Sequence, residues 1–593
     1  MAEKYKQERW SLDALYPGHD TPELKSAMEK LEKDIGDFEA YRDQLTDDID
    51  QETFQQMLTD LEAITKEGGR LNGYSFLWFS EDTLNQDAIA FQGRIQQFLV
   101  GLQNKTLFFN LWWKKLDQKN ADRLMEKAGD LQYWLEEIRH FTPYTLTEPE
   151  EKIINIKNAT GPTALYSLYE SITNRYSYKV EIEGEEKELT RGQLMVYARH
   201  HDPDLRAAIY QELYRVYGDE GPILGQLYQI KVRDWYNEYI DLRSYQSPIA
   251  VRNLLNDVPD ESVDVLLDVC EKNAPVFQRF FDLKARWLGM DKIRRYDVYA
   301  PVAKTESDKK YPYQEAVDMV LDAFQAFEPR VAKLAEQIIV DGHIDSEVRQ
   351  GKYGGAYCYS VDKDLSPWVL LNYQGTPDSV STMAHELGHG IHALLAQEHS
   401  VFNYHSPLPL AENASTFGEM LLIDKLLAEE DDPAVRRDIL FQQVDDAYAT
   451  IMRQAYFAMF EREAHKMIQE GAILDQISDM YYQNLQSQFG KSVELSEEFR
   501  WEWVSIPHFY DRPFYVYAYA FGQLLVLSLY QRYQEEGKSF IPGYIKILEA
   551  GGSKAPAEIL SEAGIDIASK DFWQGGFDVI DGLVKDLEDL PIE

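Results

Sequence analysis

Cysteine is almost absent from this sequence, and other marks of secreted or membrane-bound proteins are missing too. Only Cys270 and Cys358 occur among 593 residues, which excludes a framework of several disulfides. No window approaches the roughly 18 uninterrupted apolar residues of a membrane helix, and the first residues lack the apolar core of a secretory signal. We therefore expect a cytoplasmic protein without a membrane partner.

Basic residues are scarce relative to acidic ones. The chain has 60 Lys and Arg against 101 Asp and Glu, a formal net charge of -41. An acidic surface of this size repels nucleic acid and anionic lipid, so we expect neither as a partner. With 44% hydrophobic and 13% aromatic residues, the composition is that of a folded protein rather than a disordered one. The oligomeric state stays open between a monomer and a small homo-oligomer.

Hydrophobic periodicity predicts a mainly α fold. Segments 23–45, 51–65 and 87–105 repeat apolar residues at three- and four-residue spacing, which is typical of amphipathic helices. Two regions break this pattern. Segment 176–189 alternates apolar and polar residues around a glycine and predicts a β-hairpin, and segment 353–374 predicts two adjacent strands.

One stretch, TPDSVSTMAHELGHGIHALLAQ at 376–397, carries the strongest chemical signal. Thr376 can cap a helix whose apolar residues repeat at helical spacing, so one face should be buried. His385 and His389 are four residues apart and share a face of that helix, with Glu386 beside them. This H-E-x-x-H pattern offers two imidazoles to a divalent metal and a carboxylate that can take a proton from water.

A catalytic zinc site usually has a third protein ligand and one open position. The pattern that continues H-E-x-x-H with a third histidine is excluded, because Leu395 stands at that position. The other common solution is a glutamate on a following helix, and Glu412 lies past one loop from His389. We predict that His385, His389 and Glu412 bind one zinc ion per chain. Glu419, two turns further along the same face, is a candidate partner that orients a ligand histidine.

Three further residues of the same helix stand out. His392 borders the metal-binding face, and we expect it behind the ligands or beside the substrate. Gly388 and Gly390 are costly inside a helix. We therefore expect another backbone, such as that of the Glu412 helix, to approach closely there.

The segments HELGHGIH at 385–392 and AENASTFGE at 411–419 resemble the thimet oligopeptidase and oligoendopeptidase F family of zinc metallopeptidases. Three other stretches are similar to the same family: WSLDALYP at 10–17, GKYGGAYC at 351–358 and IPHFYDRPFYVYAYAFG at 506–522. The resemblance runs from end to end of the chain. It implies a mainly helical, two-lobed metallopeptidase with a deep substrate channel, zinc at its floor, and oligopeptide substrates.

We accordingly predict two domains, an N-terminal helical lobe with the hairpin at 1–200 and a catalytic helical domain with the H-E-x-x-H site at 201–593. The predicted strands end directly before the zinc helix, so a small β-sheet should lie next to it. An exposed strand edge can bind an extended peptide through main-chain hydrogen bonds. Gly354, Gly355 and Ala356 are small enough to let a substrate backbone approach.

The tyrosine-rich segment around His508 supplies candidates for the second half of the active site. Amide hydrolysis develops negative charge on the carbonyl oxygen, which neutral Tyr O–H or His N–H donors stabilise. A helix beginning near 512–513 would place Tyr515 and Tyr519 on one face and Tyr517 on another. By the family resemblance His508 binds substrate and stabilises the transition state, and Tyr515 and Tyr519 are the tyrosines that we favour.

The sequence thus predicts a zinc endopeptidase that hydrolyses internal bonds of short unstructured oligopeptides. Glu386 acts as general base on a zinc-activated water and passes the proton to the leaving amine. Two alternatives stay open: a zinc carboxypeptidase of a related helical fold, and a non-catalytic peptide-binding protein. Products of a peptide blocked at both ends distinguish the first alternative, and an absence of hydrolysis with zinc bound would favour the second.

Overall fold

The chain is predominantly helical, as the sequence predicts. Its computed structural model describes residues 4–302 and 310–592. Helices account for most of these residues and the strands are short, so the prediction of a mainly α fold is confirmed. Within the described ranges, no helix combines the length and the apolar character needed to cross a membrane.

The helices follow one another along the chain, and the longest connection between two of them within the described ranges runs from Val340 to Pro377. Those before residue 300 are α1 (Pro22–Glu39), α2 (Gln51–Glu81), α3 (Gln86–Lys115), α4 (Gln118–Met125), α5 (Gln132–His140), α6 (Glu148–Thr160), α7 (Pro162–Thr173), α8 (Arg191–Tyr197), α9 (Pro203–Asp219), α10 (Gly221–Trp235), α11 (Ala250–Leu255), α12 (Asp260–Lys272) and α13 (Ala274–Trp287). Those after residue 310 are α14 (Tyr313–Phe327), α15 (Pro329–Val340), α16 (Pro377–Leu395), α17 (Asn413–Glu429), α18 (Pro433–Ala447), α19 (Arg453–Gln469), α20 (Leu474–Phe489), α21 (His508–Asp511), α22 (Tyr517–Glu536), α23 (Ile541–Glu549), α24 (Pro556–Glu562) and α25 (Lys570–Glu588).

Less regular helical segments connect some of these elements. Two are π-helical, Tyr236–Leu242 and Tyr448–Met452. The 3₁₀ segments are Ala40–Gln44, Gly129–Leu131, Thr142–Tyr144, Arg295–Asp297, Leu408–Leu410, Glu497–Ser505 and Gly537–Ser539.

The β structure is limited to small sheets. The strands are β1 (Tyr178–Ile182), β2 (Glu185–Leu189), β3 (Ile293–Arg294), β4 (Ile344–Asp345), β5 (Tyr357–Tyr359), β6 (Trp368–Leu370) and β7 (Val493–Glu494). Strands β1 and β2 form the predicted antiparallel hairpin, and β3 pairs in parallel with β7. The third sheet has the order β4-β6-β5, in which β6 is parallel to β4 and antiparallel to β5. Strands β5 and β6 are the two predicted between 353 and 374.

Two compact units make up the chain, and each is assembled from three separate segments. Unit 1 comprises Met1–Pro143, Lys309–Glu429 and Arg532–Ile565, and unit 2 comprises Tyr144–Asp308, Glu430–Gln531 and Asp566–Glu593. The two contiguous domains expected from the sequence, 1–200 and 201–593, are a different division of the chain and stay a prediction.

Unit 1 has an aromatic core that reaches the sheet beside α16. Trp113 is fully buried, its ring lies 5.3 Å from that of Phe54, and its Nε1–H donates to Leu135 O at 2.8 Å. Trp368 and Leu370 of β6 belong to the same buried cluster. Since β5 contacts α16 directly, this core anchors the small sheet next to that helix, as predicted.

Candidate active site

Helix α16 begins where the sequence predicts. Thr376 Oγ1 accepts the Ser379 N–H at 3.1 Å, and proline occupies the first turn. The apolar face of the helix is buried, while the side chains of His385 and His389 stay 27% and 25% exposed. Their rings lie 4.8 Å apart and nearly perpendicular. The four-residue spacing therefore places both imidazoles at one accessible spot.

Helix α17 packs antiparallel against α16, because Ser381, early in α16, contacts Glu419, whereas Gly388, further along α16, lies against Ala414 at the start of α17. A Cβ on Gly388 would lie 2.4 Å from Ala414 O. The expected close approach of the following helix is confirmed at this glycine. At Gly390 the expectation of a backbone neighbour is wrong, because the nearest atom is a side-chain methyl, Ile338 Cδ1 at 2.4 Å.

The three predicted ligand residues converge. His385 Nε2 and His389 Nε2 are 3.2 Å apart, and Glu412 Oε2 lies 3.5 Å and 3.4 Å from them. A tetrahedral Zn²⁺ with bonds of about 2.0–2.1 Å separates its ligand atoms by about 3.3–3.4 Å. The triangle therefore has the edge lengths of one face of such a site, and its two-nitrogen, one-oxygen donor set suits zinc.

Hydrogen bonds hold two of these ligands in place. His385 Nδ1–H donates to Glu419 Oε1, which directs Nε2 at the triangle. Burial alone would lower the pKa of His385, but the hydrogen bond to Glu419 and the nearby carboxylates raise it to about 9. Ser415 Oγ donates to Glu412 Oε2 at 2.7 Å. Sequence reasoning missed Ser415, although its place three residues after Glu412, on the first turn of a helix, was a usable signal.

Glu386 is buried beside the ligands, with 6% of its surface exposed. Burial raises the pKa of Glu386 to about 7, against the opposing effect of the His385 charge. The Cys358 backbone N–H of strand β5 faces this carboxylate and opposes the rise in its pKa. No sequence signal pointed to this contact, because it depends on which edge of β5 faces α16.

The ligands open onto a cavity of about 520 Å³ in unit 1. His392 lines it and is buried, and its Nε2 has no hydrogen-bond partner among the described residues. Burial lowers the pKa of His392 to about 3, so this ring is neutral. Tyr404 and His405 also line the cavity. The sequence analysis overlooked them, although a histidine in the loop after α16 was a signal in a chain with few histidines.

Strand β5 borders the same cavity. Its partner β6 lies on one side, and the other side is the edge of the described sheet. Ala356 lines the cavity, whereas Gly354 and Gly355 are exposed beyond its lining. Gly355 has a φ of +83°, which favours glycine, and its carbonyl accepts a hydrogen bond from Asn372 Nδ2 at 2.8 Å.

His508, Tyr515 and Tyr519 form a cluster in unit 2. Tyr519 Oη lies 3.3 Å from His508 Nε2, and the Tyr515 ring is parallel to His508 at 6.1 Å. Burial lowers the pKa of His508 and raises that of Tyr519 to about 12, so both are neutral donors near pH 7. Tyr517 is fully buried and accepts a hydrogen bond from Asn256 Nδ2 at 2.9 Å.

The predicted helix start near 512–513 is wrong. Helix α22 begins at Tyr517, because Phe514 has a φ of +59° and its N–H is held by Glu461 Oε1 at 2.9 Å. Tyr515 nevertheless meets Tyr519, with ring centroids 5.3 Å apart.

Known protein families, sequences and structures match most of this chain. The model of peptidase family M3 matches residues 196–579, and that of oligopeptidase F matches residues 112–177. Oligopeptidase PepF of Bacillus subtilis (strain 168) is 25% identical over 98% of this chain and 87% of its own. Group B oligopeptidase PepB of Streptococcus agalactiae serotype III (strain NEM316) is 28% identical over 87% and 86%. A crystal structure from Chlamydophila abortus, assigned as a peptidase, superposes with a TM-score of 0.88 at 27% identity over 98% of both chains. The chain therefore belongs to peptidase family M3, the metallopeptidases that include the oligoendopeptidases F.

Proposed function

We propose that this chain is a zinc-dependent endopeptidase that hydrolyses internal peptide bonds of short unstructured oligopeptides. The observation that carries the proposal is the triangle of His385 Nε2, His389 Nε2 and Glu412 Oε2, with edges of 3.2, 3.4 and 3.5 Å. The relatives named oligopeptidase support peptides as substrates. A cytoplasmic location and a monomeric or small oligomeric state remain predictions.

His385, His389 and Glu412 would hold one zinc ion per chain. A zinc ion with an open position lowers the pKa of a coordinated water to about 7 and polarises a carbonyl oxygen. Glu419 fixes the tautomer and the orientation of His385 through Nδ1, and Ser415 fixes the Glu412 carboxylate.

Glu386 would be the general base. Its carboxylate lies on the ligand helix beside both histidines and keeps a raised pKa of about 7, close to the pH at which a general base works well. It would take a proton from the attacking water and return it to the leaving amine. The Cys358 N–H would orient the carboxylate during both transfers.

The edge of β5 would align the substrate. Alternate residues of a strand direct their backbone groups to the same side. Because the Cys358 N–H points away from β6 to Glu386, the backbone groups of Ala356 and Ser360 should point the same way, into the cavity that both residues line. An extended peptide would pair there as an added strand.

His508, Tyr515 and Tyr519 would supply neutral donors to the developing oxyanion. The contacts among the three side chains support this role. The lowered pKa of His508 and the raised pKa of Tyr519 support it as well, because these two groups are then neutral and keep a proton to donate near pH 7. Removing one such donor typically costs about 10²–10³ in kcat.

The test is digestion of a peptide blocked at both ends, with and without a zinc chelator, with the products read by mass spectrometry. Internal cuts that disappear with the chelator are expected. Glu386→Gln keeps the size of the side chain but cannot accept the proton, so zinc content should stay while turnover falls by about 10²–10⁴-fold. Wild-type turnover in that variant would refute the role of Glu386. Cleavage restricted to unblocked C-termini would favour a carboxypeptidase, and bound zinc without any hydrolysis would favour a peptide-binding protein.

A further inference from the structure

Unit 2 contains a cavity of about 400 Å³ that is lined by arginines to which the proposed chemistry gives no role. His508 lines one side of it, together with Ser505 to Pro507. Glu502 is the one acidic residue among the described residues that line the cavity. The basic residues that line it are Arg191, Arg199, Arg295 and Arg453. Four guanidinium groups thus face one carboxylate in a chain whose net charge is -41.

The buried charges in this cavity do not balance. Arg295 Nη2 donates to Glu502 Oε1 at 2.7 Å, and Arg453 Nη2 donates to the same oxygen at 3.1 Å. Arg295 is 2% exposed, and its Nε and Nη1 have no hydrogen-bond partner among the described residues. The Nε of Arg453 is likewise without one. The lining also contains three buried oxygens without a partner among the described residues, namely Glu502 Oε2, Gln454 Oε1 and Tyr299 Oη. Buried charged donors of this kind are costly unless an acceptor meets them.

The backbone around Arg453 is irregular at the same place. Arg453 directly follows the π-helical segment Tyr448–Met452, and Ala449 of that segment lines the cavity. Such π-helical turns are rare and occur frequently at functional sites.

We propose that this cavity binds a carboxylate, and that in the peptidase reaction it is the C-terminal carboxylate of the substrate. The proposal rests on the function proposed above. Guanidinium groups match a carboxylate in shape and charge better than any other side chain. A volume near the lower end of small-molecule sites, about 300–1,000 Å³, suits the end of a peptide better than a passing chain.

His508 connects this site to the reaction. It is the proposed donor to the scissile carbonyl, and it borders the arginine cavity. A peptide whose carbonyl lies at His508 would therefore place its last residues among the arginines. The expected substrates are therefore peptides that have a free C-terminus and only a few residues on the C-terminal side of the cleaved bond.

The first test compares peptide pairs that differ only in a free or an amidated C-terminus, using the wild-type protein. We expect a KM at least about tenfold lower for the free acid, because hydrogen bonds to charged groups contribute that much or more. Binding of the same pairs to the Glu386→Gln variant should show the same ratio without turnover. Equal KM and equal binding would overturn the proposal, whereas a lack of cleavage with an intact binding ratio would count against the proposed function alone.

Variants locate the effect. Arg453→Gln should reduce the acid-to-amide ratio to about one, and Arg199→Gln, on an exposed residue whose loss leaves the core intact, should reduce it in the same direction. Arg500→Gln is the matched control. Arg500 lies in the same 3₁₀ segment as Glu502 but pairs with Asp479 at 2.7 Å outside the cavity, so the ratio should not change. An equal loss in all three variants would show a general charge effect and overturn the site.

The carboxylate bound in this cavity could belong to a free small anion instead of the peptide C-terminus, and acetate distinguishes the two. Acetate should compete with the free-acid peptide and leave the amide unaffected if the cavity holds the peptide C-terminus. If acetate instead raised the turnover of acid and amide peptides equally, the site would be an effector site, and the assignment to the substrate would be overturned.

Discussion

Replacing Gly388 by alanine tests whether the packing of α16 on α17 sets the geometry of the metal ligands. The new Cβ would lie 2.4 Å from Ala414 O and 2.6 Å from Ser415 Cα. Both are backbone atoms next to Glu412, so neither can rotate away. Contacts of this type are essentially never below 3.0 Å, so α17 must move by at least about 0.6 Å, the difference between 3.0 and 2.4 Å.

That displacement is larger than a metal site tolerates. Ligand distances in a working site stay within about 0.2 Å of their ideal values, and Glu412 moves with the start of α17. We expect zinc affinity to fall at least about tenfold and peptide turnover to fall with it. Overpacking should also cost about 1–3 kcal/mol of stability, partly offset by about 1 kcal/mol from the better helix propensity of alanine.

Gly390→Ala is the matched control on the same helix. Its Cβ would come too close to Ile338 Cδ1, the end of a flexible side chain, at 2.4 Å, and would make ordinary contact with Cys358 Sγ at 3.7 Å. It gains the same helix propensity, so zinc affinity should stay near the wild-type value. Zinc competition with a chromophoric chelator and thermal unfolding measure both quantities. Wild-type zinc affinity in Gly388→Ala, or an equal loss in both variants, would refute the reasoning.

Three further predictions follow from contacts of single side chains. Glu419→Gln should lower zinc affinity about 10–100-fold, measured by the same chelator competition, because it weakens the hold on a ligand histidine. Tyr519→Phe should lower kcat by about 10²-fold and leave the melting temperature unchanged. Tyr517→Phe should leave kcat unchanged but lower the free energy of unfolding by about 1 kcal/mol, because the hydrogen bond from Asn256 is lost. Burial raises the pKa of Glu461 from 4.5 to about 8, so between these two pH values the folded state keeps a proton that the unfolded state has lost. The free energy of unfolding therefore falls as pH rises through this range, by up to about 1.4 kcal/mol per pH unit. Glu461→Gln should remove that slope in urea unfolding, and an unchanged slope would contradict the assignment.

Local spacing explains how much of the site could be predicted from the sequence. His385, Glu386 and His389 belong to one helix, so the geometry of a single element places them. Glu412 directly precedes the next helix and Glu419 lies on it, and the connection through residues 396–412 limits where that helix can pack. The close approach at Gly388 follows from the same two elements.

The contacts that the sequence did not reveal join distant parts of the chain. The Cys358 N–H reaches Glu386 because of the register of β5 on β6, which no local pattern encodes. The start of α22 depends on the hold of Glu461 on the Phe514 N–H, from a different helix. The arginines of the unit 2 cavity come from α8, the turn after it, the 3₁₀ segment Arg295–Asp297 and α19. In the sequence a scattered arginine looks like any surface residue.

The discontinuous make-up of unit 1 has a consequence for biosynthesis. The segment that carries the metal ligands shares this unit with Arg532–Ile565, and Tyr544 Oη donates to Asn413 O at 2.8 Å, next to Glu412. During translation Tyr544 is therefore made about 7 to 26 s after Glu412, at roughly 5–20 residues per second. The unit that contains the proposed metal ligands can close only after the segment up to Ile565 has been made. A ribosome-bound intermediate that ends before this segment would carry the H-E-x-x-H segment without its finished surroundings, so we expect it to be inactive.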